Sequence, residues 1–308
     1  MRAPHNAGLH RFAVFTACCT FLLLVAGALV TSNDAGLSVP DWPLSYGSLT
    51  PPMVGGIRFE HGHRLIAAFV GSLTIALAVW LWRREPRRWV RRLGLLALGA
   101  VIAQGILGGL TVLLYLPVAI SVAHASLAQI FFGTVVSLAV FTSRWWQSEL
   151  PRLEDSGSPP VRLLAVACIA AIFLQLILGA AFRHRGFGIV PHLIGAALVT
   201  FLVFRTAVIL RRRFRDVAAL GRCARLLYVL LGTQLVFGGA AWWSRVATRD
   251  FPQPMPLMVW LTVVHTVVGA LVLATAIVAA LVCHRLLKRD REVALASRPR
   301  EMNEQAAL

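Results

Sequence analysis

Apolar stretches long enough to cross a hydrocarbon core recur eight times along this chain, at about residues 12–30, 64–82, 93–115, 118–141, 161–181, 191–210, 224–242 and 257–284. Short polar connections separate them. The pattern predicts an all-α integral membrane protein with eight transmembrane helices. The third and fourth stretches are divided only by Leu114, Tyr115, Leu116 and Pro117, yet together they are far too long for one crossing. Proline suits the first turn of a helix, where its missing N–H costs nothing. Pro117, Pro160, Pro191 and Pro256 each stand at such an opening.

Composition agrees with the pattern. The 308 residues are 58% hydrophobic and only 14% charged, which excludes an ordinary soluble domain and a disordered chain. A net charge of +17 would suit a nucleic-acid partner, but its placement argues otherwise. Arg83, Arg84, Arg87, Arg88, Arg91 and Arg92 fill the second connection. Arg144, Arg152 and Arg162 lie in the fourth, and Arg211, Arg212, Arg213, Arg215, Arg222 and Arg225 in the sixth. Arg2 and Arg11 precede the first stretch; Arg285, Lys288, Arg289 and Arg291 follow the last. Short cytoplasmic loops of membrane proteins carry such an excess, so both termini are expected in the cytoplasm. No nucleic-acid motif is present. The first stretch is longer than a usual signal core, and removing it would break the even count, so it is expected to remain. The cysteines lie in apolar runs or near the arginine-rich ends, where soft packing is their expected role.

The chain repeats itself. Gln104, Gly108 and Gly109 in the third stretch recur as Gln175, Gly179 and Ala180 in the fifth, and as Gln234, Gly238 and Gly239 in the seventh. Leu23, Gly27 and Ala28 form a weaker version in the first. A histidine-bearing stretch follows each: His63, His124, His192 and His265. The unit is a helical hairpin used four times. Two four-helix bundles follow, residues 1–150 and 151–308, joined at the polar segment 152–160. The small pairs allow close helix packing, and equally leave room for a flat cofactor.

An imidazole at bilayer depth is costly without a partner, so ionisable residues there are functional candidates. Four at matched depth suggest two pairs, and facing imidazoles in a helical bundle suit a haem iron. Pairing within each half, His63 with His124 and His192 with His265, is the simplest choice. Hydrogen bonding to neighbours is the alternative for any one of them. Carboxylates and thiolates do not gather at these depths, which argues against zinc. Glu60 shares a helix face with His63 and stands either as a cap or as a proton acceptor beside the first pair. Arg64 is a candidate partner for a haem propionate or a lipid phosphate. Arg183, Arg185, Arg245 and Arg249 are weaker candidates for the same task. The long connection 31–62 holds Asp41 and Trp42 between Pro40 and Pro43, and is a candidate lid in which Trp42 would lie at the interface.

Gly36, Leu37 and Ser38 with Pro40, Asp41, Trp42 and Pro43, then Glu60, His63 and Arg64, then three further helix-start histidines, together resemble the haem A synthase family. The resemblance implies oxidation of the methyl at ring position 8 of haem O to the formyl group of haem A, for terminal cytochrome oxidases. It implies a b-type haem on His192 and His265, substrate haem on His63 and His124, and a functional part for Glu60. It further implies a bacterial inner-membrane location, supply by haem O synthase and an electron donor; a homo-oligomer is compatible with it. One departure is visible. Many bacterial relatives carry a cysteine pair in the first outward loop, where this chain has Val39 and Ser45. A di-haem electron-transfer cytochrome and a haem transporter remain as alternatives.

Overall fold

The computed structural model describes residues 5–289. The extreme ends, including Arg2 and Arg291 of the charge pattern, lie outside the described residues. Eight long helices carry the expected apolar windows. They are α1 (Ala7–Ser32), α2 (Ile57–Arg84), α3 (Arg88–Leu113), α4 (Val118–Thr142), α6 (Val161–Arg183), α7 (Val190–Arg213), α8 (Ala218–Ala247) and α9 (Pro256–Leu286). A one-turn helix α5 (Arg144–Gln147) follows α4. Leu22, Phe69, Ile102, Val236 and Trp260 remain more than half exposed on the bundle. Such apolar surface suits lipid rather than water.

Inside lipid a helix must satisfy its own polar groups. Thr16, Thr20 and Thr74 are fully enclosed, and each hydroxyl donates to the carbonyl four residues earlier. The helix ends are equally self-contained. Asn6 caps α1 by accepting the Leu9 N–H at 3.0 Å. Helices α1, α3 and α6 end in one shared device, a crossed pair of bonds over a residue in the left-handed region. Asp34, Tyr115 and Arg185 are those residues, with φ of 51°, 59° and 61°. Leu116 N–H reaches Thr111 O at 2.7 Å, and Gly186 N–H reaches Ala181 O at the same distance. Leu114–Pro117 is therefore a tight reversal between two crossings, as the sequence suggested. Pro117 and Pro160 cap α4 and α6; Pro191 and Pro256 lie in the first turn of α7 and α9.

Neighbour order follows the chain. α1 packs on α2, α2 on α3, α3 on α4, and α4 back on α1. Helices α6, α7, α8 and α9 repeat that closed order. The rings meet through α4 and α6, and through α9 against α1 and α4. Gly133 permits the closest approach there: a Cβ on it would lie 2.7 Å from Ile277 Cδ1. Ala28 likewise packs with Met258, Val259 and Val263.

The segment between the rings is more ordered than a polar linker. Leu153–Asp155 forms a strand, β1, which pairs in parallel with β2 (Leu287–Arg289) directly after α9. With an isolated bridge between Ser45 and Ser48, this departs from an all-helical reading among the described residues. Its anchor is Asp155, 2% exposed, which accepts the Val161 N–H at 2.7 Å and faces Arg213 at 3.5 Å. Removing that carboxylate leaves a buried donor unmet, at a cost of about 1–3 kcal/mol. Asp155→Ala should therefore lower the thermal midpoint of the detergent-solubilised protein, with Asp155→Asn recovering part of the loss. Equal midpoints for all three proteins would remove Asp155 from this role.

Candidate functional site

The four histidines share one local environment. Each imidazole lies on the glycine of the preceding helix that the repeat marks. A Cβ on Gly27 would stand 3.2 Å from His63 Cε1, and one on Gly108 would stand 3.3 Å from His124 Cε1. At Gly179 and His192 the distance is 3.0 Å; at Gly238 and His265 it is 2.8 Å. The glycines thus make space for rings, not for close helix contact alone. The register is kept even though His192 lies in the first turn of α7 and His265 in the third turn of α9. Helices α8 and α9 both extend further at that end, so the hairpin carries glycine and histidine together.

In the second ring the two imidazoles come together. The centroids of His192 and His265 are 6.2 Å apart, with ring planes at 79°. Two imidazoles binding opposite sides of one metal at about 2 Å each would have centroids roughly 6 Å apart. His265 Nδ1 lies 3.2 Å from the Gln234 carbonyl, which can only accept. The proton therefore sits on Nδ1, and Nε2 keeps its lone pair. Gln175 Nε2 donates to the His192 carbonyl at 2.8 Å and lies 3.0 Å from its Nδ1. In the first ring, His63 and His124 stand near enough for their charges to interact. Their Nδ1 atoms are buried without a hydrogen-bond partner. The Oε1 atoms of Gln104, Gln175 and Gln234 are buried and unpartnered too. Orphaned polar atoms beside paired rings over glycine floors fit a flat, metal-centred group at each pair.

Glu60 and Arg64 sit one helical turn apart on α2, and their side chains face the long first loop. Glu60 is 4% exposed; its Oε2 accepts the Val39 N–H at 2.8 Å, and its Oε1 meets Arg64 Nη2 at 2.6 Å. Arg64 also donates to the carbonyls of Val39, Asp41 and Leu44. Its guanidinium is thus engaged by the loop. Ser45 and His61 add a further tie, Oγ to Nδ1 at 2.8 Å. Val39 and Ser45, the positions lacking cysteine, are both buried and both fastened to the start of α2. Asp41 accepts from Tyr46 N–H and Gly47 N–H, and these bonds, Gly47 first, hold its carboxyl below the ordinary carboxylate range.

Trp42 is 42% exposed, with one part of its ring seated on α3. Its indole lies on Gly109, where a Cβ would come within 2.8 Å of Cδ2. Gly109 adjoins Gly108, on which His124 rests. The loop therefore reaches the same turn of α3 that carries the His124 contact. At the equivalent Gly239 of the second ring, nothing lies within 4 Å. The other outward arginines divide. Arg183 donates to Thr31 O and pairs with Asp34 at 3.3 Å, joining α6 to α1. Arg249 pairs with Asp250, and Arg245 lies over the Phe182 ring. Arg185 occupies a helix-ending turn. His184, beside them, is pushed below its ordinary pKa by burial and then by Arg183.

Fold and site define a multi-pass membrane protein with four histidines on its spanning helices, each against a glycine of the preceding helix. The sequence matches the COX15-CtaA family model, described as cytochrome oxidase assembly protein, over residues 10–55 and 57–191. It is 30% identical over 267 residues to a haem A synthase of Shouchella clausii, covering 76% of this chain and 87% of that one. It is 32% identical over 187 residues to a haem A synthase of Lysinibacillus sphaericus, covering 58% and 59%. For that of Halalkalibacterium halodurans the figures are 30% over 185 residues, covering 58% and 60%. Two of these matches span about three fifths of the relative's length and the third spans most of it. The chain belongs to the COX15-CtaA family, the family of these haem A synthases.

Two outcomes check the local geometry. Gly238→Val drives a side chain into the His265 ring and should destabilise the protein by about 1–3 kcal/mol. Gly239→Val meets open space and should leave the midpoint unchanged; identical midpoints for both variants would dissolve the distinction. Arg64→Gln should loosen the first loop, read as faster protease cleavage within residues 33–56 of the solubilised protein. Cleavage at the wild-type rate would show that the Arg64 contacts do not hold the loop.

Proposed function

We propose that the chain is a haem A synthase: a membrane oxidoreductase that converts the position-8 methyl of haem O, through a hydroxymethyl stage, to the formyl group of haem A. The observation carrying this reading is the imidazole-on-glycine contact at all four hairpins, with one pair of rings at 6.2 Å. His192 and His265 would hold a resident b-type haem, and His63 and His124 the substrate haem. When bound, the resident group supplies reversible one-electron chemistry at its iron. The chain's own residues supply the rest.

The glycine floors fix the depth and plane of each ring. The Gln234 carbonyl fixes the tautomer of His265. Glu60 is the catalytic candidate, because its Oε2 is the acceptor nearest in sequence to the first pair and is shielded from water. Val39 N–H now occupies that oxygen, so Glu60 takes up a proton only as the loop shifts. Arg64 meanwhile pairs with the other oxygen of the carboxylate. In the membrane, the arginine-rich ends and both termini face the cytoplasm and the histidine ends face outward, in a bacterial inner membrane. Haem O synthase and an electron donor are the expected partners.

A di-haem electron-transfer cytochrome would use the same ligand pairs. The loop favours the enzyme, since its Trp42 lies on Gly109 of the first ring while the equivalent Gly239 of the second is open. The test is expression with haem O synthase in cells lacking haem A, followed by chromatography of the extracted haems. Haem A or its hydroxylated precursor is the expected product. Glu60→Ala should stall oxidation and spare the b-type spectrum, whereas His265→Ala should abolish that spectrum. Haems B and O alone, with redox partners present, would favour the cytochrome.

A further inference from the structure

A cavity lies at the opposite end of the molecule from the histidines. It is a cleft of about 590 Å³ where α2, α4 and α9 end, α3 begins and the segment between the rings crosses. These are the ends of membrane-spanning helices, so the cleft lies at headgroup level. Arg84, Arg87, Arg152 and Arg285 line it, with Glu85 as the acid among them. Glu85 is already taken: both its oxygens pair with Arg87, at 2.7 and 2.9 Å. Arg84, Arg152 and Arg285 are therefore left without a carboxylate among the lining residues.

Arg285 adds a more specific signal. Its Nη2 donates to Ser148 O at 2.6 Å, and its guanidinium lies 5.9 Å from the centroid of Trp146, another lining residue. Its Nε–H is buried without an acceptor. A buried charged donor left unmet is costly, and such an orphan in a native site commonly marks an absent anion or water. Basic clefts between transmembrane helices at headgroup level suit anionic lipid phosphates. Trp146 at the rim matches the amphipathic ring that such boundaries favour.

We propose that this cleft binds a phosphate-bearing anion, supplied as the headgroup of an anionic phospholipid. The headgroup would bridge the rings, because Arg84 and Arg87 come from the first and Arg285 from the second. It would gather Arg84, Arg152 and Arg285 around one phosphate and give Arg285 Nε–H its acceptor. Free phosphate shares the chemistry but lacks the acyl chains that would rest on the exposed apolar helix faces nearby.

The test uses full-length protein, delipidated in neutral detergent. Its thermal midpoint is followed with added cardiolipin, phosphatidylglycerol, phosphatidylcholine or inorganic phosphate. Cardiolipin and phosphatidylglycerol should raise the midpoint to saturation, and phosphatidylcholine should not. Arg285→Gln and the exposed Arg152→Gln should each weaken the lipid dependence about fivefold, the equivalent of about 1 kcal/mol per arginine near an anionic surface. Arg152→Gln keeps the test decisive if Arg285→Gln folds poorly. A rise with inorganic phosphate equal to that with lipid would support the anion site and overturn the lipid as its source. A rise with phosphatidylcholine equal to that with cardiolipin, no rise with any addition, or an undiminished lipid response in Arg152→Gln would overturn the proposal.

Discussion

The contact on which this molecule is organised is that of an imidazole edge against a bare backbone on the adjoining helix. It occurs four times, always between the first and second helix of a hairpin. A methyl group in place of any of the four glycine hydrogens would push on a ring, so the helix pair and the ring position are specified together. That coupling explains why helix ends can drift, as they do at α8 and α9, while the histidine stays in register with its glycine. It also explains why glycine, a poor helix former, is kept in the interior of four spanning helices.

Duplication supplies the scaffold and the first loop breaks its symmetry. The second ring presents its pair of histidines with no loop side chain on Gly239. The first ring is overlaid by a segment whose backbone is gathered by Glu60 and Arg64, and whose tryptophan rests next to the His124 glycine. The two rings therefore differ in what lies on the second glycine of the repeat: a tryptophan in the first, open space in the second.

The eight crossings were legible because bilayer depth imposes a length that composition reveals without any tertiary knowledge. The histidines were legible because repetition lifts a residue out of chance. The repeated glycines were visible as a pattern, but their meaning was not: ring clearance and helix packing leave the same small residues behind. Glu60 was noticed through helical spacing with His63, yet spacing says nothing about Val39, 21 residues earlier. Arg64 was read toward a propionate because its neighbour is a candidate ligand; its carbonyl partners belong to a loop whose path depends on long-range contacts. The same reason hid β1, since its partner strand is over a hundred residues away. Trp42 was assigned to the interface by residue type, whereas its seat on Gly109 is a matter of shape.

The fastening of the first loop has a chemical corollary. Val39 and Ser45 are tied down through a carboxylate and an imidazole, with no sulfur in either tie. Thiol reagents, glutathione poise and disulfide-exchanging enzymes thus have nothing at these two anchor points to act upon. The loop is anchored here by hydrogen bonds alone, so at these two points it is uncoupled from the oxidising power of the compartment it faces.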